Sequence, residues 1–243
     1  DSVRDGVEII GLLTAEEKNE KGRIVGALGL NKERLDEDNF GFEVYRAENV
    51  IFGVGGPGGL YEDSVYPRGH VGSIGLALEA GAKGKGLTEG QFGLASTDFR
   101  WNLSGTYQQV IPTYYSIDPE NPGEKKEFLN KYFHSMEDLA EAIFLKGYQW
   151  PFDAGKTQDH KSSLIDLLVY DETRNKGREV YLDYTNNPSG EFGLKEFNPD
   201  ILTGEAREYL ENSNALFGRP IDRLKEMNPQ ALELYRRNGI DLT

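Results

Sequence analysis

Two stretches of this chain carry residue types that could do chemistry. In the first, an apolar run, Val50-Ile51-Phe52, passes into Gly53-Val54-Gly55-Gly56-Pro57-Gly58-Gly59. No helix or strand continues through so many glycines, so a strand over 50–52 must stop there at a tight backbone platform. Farther on, Gly72-Ser73 opens a short apolar segment, Ile74-Gly75-Leu76-Ala77-Leu78-Glu79-Ala80-Gly81-Ala82. That is the pattern of a helix whose glycine-rich start leaves N–H groups free for an anion. The second stretch, 87–115, is rich in aromatics and uncharged hydrogen-bonding groups, the composition of a pocket lining. Within it, Arg100-Trp101-Asn102 combines a guanidinium fork for an anion, an indole face and an amide. The plainer alternative makes Arg100 a surface ion-pair partner and Trp101 a core residue.

These residues need elements to hold them. Residues 7–13, 23–30 and 40–46 are β-prone and separated by polar turns, which predicts a β-meander leading to a buried strand at 50–52. Residues 118–123 read as a proline-punctuated loop. Between 125 and 146 apolar residues recur at helical spacing, with Ser135 as a cap for a second helix. Ordered elements follow at 163–170 and 179–184. Asp166 stands inside the first, either buried and satisfied or on a polar helix face. Helices are expected at 203–212, from 220, and at 229–238, the last capped by Asn228 and closed by Gly239.

The order of strand, glycine turn, loop and helix resembles the FAD-binding domain of the fumarate reductase, succinate dehydrogenase and L-aspartate oxidase flavoprotein family. Residues 49–56 match its strand and Gly-Gly turn, and 76–82 match its helix ending in Ala-Gly-Ala. Gly72-Ser73 stands about where the family has Asp-Gly. Gln91-Phe92 matches the start of the family's Gln-Phe-His-Pro-Thr motif, and Gly93-Leu94-Ala95 replaces His-Pro-Thr. The resemblance implies an α+β fold: meander and glycine-rich strand–loop–helix of an FAD-binding domain over 1–117, then a helix-rich capping domain over 118–243. It implies FAD as cofactor, with Gly55, Gly56, Gly58, Gly72 and Ser73 against it. It places Gln91, Arg100, Trp101 and Asn102 on the substrate side. Hydride would pass between flavin and a small organic molecule, and the lost His-Pro-Thr argues against a simple dicarboxylate. The family's proton-donating arginine aligns with no residue here, so no catalytic residue is assigned.

The family's Gly-x-Gly-x-x-Gly fingerprint for the FAD pyrophosphate is not met in context: the 53–58 glycines open no immediate helix. The sequence therefore reads as an internal piece whose partners include the remaining N- and C-terminal parts of the FAD-binding domain. A reading from another class is a non-catalytic module with a sugar-like ligand stacked on Tyr107, Tyr114, Tyr115 and Trp150.

The 243 residues carry 27 Lys and Arg against 41 Asp and Glu, a formal charge of −14. Such a surface disfavours nucleic acid and anionic membranes as partners. There is no cysteine, hence no thiol nucleophile, disulfide or Cys-ligated metal, and a cytoplasmic location is expected. No metal site and no membrane span are expected from the His spacing or from any apolar run.

Overall fold

The computed structural model describes residues 3–15, 22–56, 65, 73–86, 92–158 and 161–243. Helices and small antiparallel sheets together make an α+β protein. The chain forms two compact units, Asp1–Gly90 and Gln91–Thr243.

In the first unit, β1 (Val7–Thr14), β2 (Ile24–Asn31) and β3 (Phe42–Arg46) form the expected meander, in the order β1-β2-β3. The glycines of β2 are set by close approach. A Cβ on Gly26 would lie 2.1 Å from the Tyr45 carbonyl oxygen, and one on Gly29 would lie 2.5 Å from Val7 Cγ1. Gly41, with φ near +74°, turns the chain into β3, and its carbonyl accepts from the Asn31 N–H.

No strand forms at 50–52, and Ile51 is 100% exposed. An apolar triplet becomes a strand only where a neighbouring edge pairs with it, and the glycines that follow bring no side chain to bury. Helix α1 (Ile74–Glu79) is present, shorter than expected. It stops where Gly81 adopts φ near +94° and the Ala82 N–H reaches back to the Ala77 carbonyl.

The second unit is built on the sheet β7-β6-β8, with β6 (Thr113–Asp118) between β7 (Asn121–Lys126) and β8 (Glu179–Asp183). Ile117, where the sequence reading divides the chain, sits inside β6 opposite Lys125 and Glu179, so the compact units part earlier, at Gly90. The stretch expected as a loop at 118–123 makes a hairpin instead. Asp118 accepts from the Glu120 N–H at its turn, and Pro122 is tolerated because β7 is an edge. Before the sheet come the short pair β4 (Ala95–Ser96) and β5 (Trp101–Asn102) and the one-turn helix α2 (Thr106–Gln109).

Helix α3 (Met136–Leu145) forms the centre of the core, together with Phe128, Leu129, Ile165 and Leu210, each at most 1% exposed. Ser135 caps it, accepting from the Asp138 N–H. Helix α4 (Ser162–Tyr170) runs on into a π-helical turn, 171–175. Helices α5 (Gly204–Asn212), α6 (Pro220–Met227) and α7 (Pro229–Arg237) complete the unit, and Asn228 caps α7 as expected. No helix among the described residues is long and apolar enough to cross a membrane.

Candidate functional site

In the second unit the candidates lie on the β4–β5 hairpin. Trp101 pairs with Ser96 and Asn102 with Ala95, with Arg100 exposed in the connecting turn. Trp101 is 41% exposed, so it is not the core residue of the plainer reading. Its ring stacks on Phe99 at 6.4 Å, Phe99 meets Tyr235 edge-on at 4.9 Å, and Tyr235 meets Tyr107 edge-on at 5.1 Å. An aromatic cluster running into the interior thus roots one indole at the surface. Asn102 is half-buried beside it. Gln91, expected at the start of this segment, lies outside the described residues.

The 92–95 segment is clamped by the turn that follows α3. The Trp150 indole N–H donates to the Leu94 carbonyl at 2.6 Å, and the Phe152 N–H donates to the Phe92 carbonyl at 2.8 Å. The Phe92 and Phe152 rings stack at 4.6 Å. A Cβ on Gly93 would stand 2.9 Å from the Trp150 carbonyl oxygen and 3.0 Å from its ring. Trp150 therefore occupies the space that a side chain at 93 would need. No local pattern foretells this, because the contact joins residues far apart in the chain.

Behind that turn sits a buried ion pair. Lys146 Nζ lies 2.5 Å from Asp166 Oδ2, with both side chains fully buried, and it also donates to the Gln149 carbonyl at 3.0 Å. Burial raises the Asp166 pKa to about 6, against the pull of Lys146. Burial also lowers Lys146, which the carboxylate opposes. Hydrogen bonds from Lys146, the backbone and Ser163 oppose the effect of burial on Asp166. Arg223, fully buried, is the other group that sequence reasoning missed. It donates to the carbonyls of Val110, Phe217 and Gly218 and to Asn187 Oδ1, and burial lowers its pKa to about 10. Its acceptors are neutral protein groups, so it ties α6 to three loops and presents no fork to a ligand.

The rings of the sugar-like pocket are engaged within the protein. Tyr107 donates to the Ala231 carbonyl and Tyr114 to Gln108 Oε1; both are buried, and burial lifts Tyr107 to about 12. Tyr115 stacks on Tyr181 at 5.5 Å.

In the first unit, a Cβ on Gly53 or Gly56 would meet nothing within 4 Å among the described residues. Gly55 lies between them in the chain. Gly58 and Gly72 fall outside the described residues. Ser73 precedes α1 without capping it through its side chain, and six residues make too short a helix for an N-terminal anion site. An open hollow at Asp36, Glu37, Asp38 and Asn39 is acidic and coincides with no candidate. Among the described residues, no group of three His, Asp or Glu could hold a metal ion.

Compared with family models, curated proteins and solved structures, the chain finds no match in any of the three.

Proposed function

We propose that these residues belong to a flavin-dependent oxidoreductase and supply part of its FAD-binding domain and its cap. One observation carries the reading: a three-stranded meander, a glycine-rich segment and a helix stopped by Ala80-Gly81-Ala82 follow one another in the order the resemblance implies, although the strand it places at 50–52 does not form. Gly53, Gly55 and Gly56 would hold the cofactor by backbone approach, and Gly58, Gly72 and Ser73 join them in this reading. When bound, the flavin supplies hydride acceptance or donation. The chain's own residues would bind and orient a small organic substrate through Gln91, Arg100, Trp101 and Asn102.

The substrate in this proposal is not a simple dicarboxylate. Supporting that, Gly93-Leu94-Ala95 stands where the family keeps His-Pro-Thr, and Trp150 takes up the room at position 93. Fumarate and succinate should turn over poorly, and rapid saturable turnover of either would count against this part. The cysteine-free composition accords with a cytoplasmic location, which belongs to the same proposal. A sugar-binding module is less well supported, because Tyr107, Tyr114 and Trp150 already spend their polar groups inside the protein.

The test is the visible spectrum of the natural polypeptide that contains these residues. Oxidised-flavin bands that bleach with dithionite are the expected result. A colourless, folded protein that takes up no added FAD would overturn the proposal.

A further inference from the structure

The 147–152 turn is fastened on two sides. Toward α4 there are three links. Lys146 bridges Asp166 and the Gln149 carbonyl. Ser162 Oγ donates to Gln149 Oε1 at 2.5 Å. Asp153, just past the turn, donates its N–H to Ser163 Oγ at 3.0 Å. Toward the 92–95 segment there are the Trp150 and Phe152 hydrogen bonds, the Phe92–Phe152 stack and the tight Gly93 contact. Leu94 also accepts from the Leu103 N–H at 2.9 Å, which links the same segment to the end of the β4–β5 hairpin.

A buried ion pair is an expensive way to hold a core together, since apolar residues of similar volume are often as stable. What an apolar pair could not do is direct a donor at the Gln149 carbonyl. We infer that the buried Lys146–Asp166 pair positions the 92–95 segment by way of the 147–152 turn. The inference rests on the proposed substrate-side role of Trp101 and Asn102, which pair with Ser96 and Ala95 at the end of that segment. Neither residue touches substrate in this scheme; both act through Gln149, Trp150 and Phe152.

Amide hydrogen exchange in the natural protein tests it, read at Phe152 and Leu103, whose N–H groups bond to the segment. Asp166→Asn is compared with Leu224→Ala, a core truncation in α6, at matched global stability set with urea. The expected result is exchange at Phe152 and Leu103 faster by about ten-fold or more in Asp166→Asn, with β8 amides equal in the two variants. Equal exchange at all sites in both variants would reduce the pair to a stability element and overturn the inference. If Asp166→Asn does not fold, the double variant Lys146→Met, Asp166→Leu decides. It keeps the site apolar and packed, loses the donor to the Gln149 carbonyl, and should speed Phe152 and Leu103 selectively; unchanged exchange at both overturns the inference. A protein without flavin that still shows selective exchange would refute the functional reading alone, and a flavin-bound protein with uniform exchange would refute the positioning alone.

Discussion

The two units solve the burial problem in opposite ways. Among the described residues of the first, Ala27 is the one buried apolar side chain, and the meander leaves Phe42 and Val44 46% and 63% exposed. The second packs Phe128, Phe144, Ile111 and Val110 at 0% around α3 and α2, and it buries charged groups as well. A three-stranded sheet has one layer, and a one-layer sheet encloses no core of its own. The second unit has helices against a sheet, so its apolar faces close on one another. The difference teaches where side-chain identity sets stability, in the second unit, and where backbone geometry does, in the first.

The sharpest way to test that contrast is truncation. Phe128→Ala or Leu139→Ala should cost about 3–5 kcal/mol, and Val44→Ala less than about 1 kcal/mol, read as shifts in urea unfolding. Similar costs in both units would erase the distinction.

The buried pair comes next. Lys146→Met or Asp166→Leu alone should cost about 3 kcal/mol or more, while the double replacement is expected to be neutral or stabilising. The pH dependence has a definite sign. Asp166 is held at about 6 in the fold against an ordinary value of 3.8, so folding takes up a proton between those values. Its stabilising contribution is full below about pH 4 and is lost as pH rises through about 6. Relative to the double variant, the natural protein should lose on the order of 3 kcal/mol between about pH 4 and pH 7. A flat difference across that window would mean that Asp166 titrates normally.

A smaller effect is expected in the meander. Gly29→Ala should cost about 1–3 kcal/mol, because the added Cβ meets Val7 Cγ1 at 2.5 Å and Tyr45 Cε2 at 3.0 Å. These contacts are side-chain ends, so partial relief is available. A neutral result in urea unfolding would show that β1 and β3 yield freely.

Legibility followed the same divide between side-chain pattern and backbone pairing. Strand β3 alternates, β1 and β2 are β-prone runs between polar turns, and the helices of the second unit carry a 3.6-residue period, so these elements were readable. Ser135 and Asn228 cap where they should, since capping is decided within four residues. The 50–52 triplet was misread because an apolar run says nothing about whether a partner edge exists. Strand β7 was missed because Pro122 signals a loop, and only its edge position makes it compatible with pairing. Within the candidate site, Trp101 and Asn102 could be named from their types. Trp150 filling the space at Gly93, and Lys146 meeting Asp166 twenty residues away, are tertiary facts without a local signature.

The open backbone at Gly56 offers the most direct measurement. A Cβ there meets nothing within 4 Å among the described residues, so Gly56→Val should leave the urea midpoint of the protein unchanged. If the 53–56 segment lies against the flavin, the same substitution should weaken FAD binding to the flavin-stripped natural polypeptide by about ten-fold or more, as read by calorimetric titration. Undiminished FAD affinity in a folded Gly56→Val protein would contradict the assignment of this segment to the cofactor.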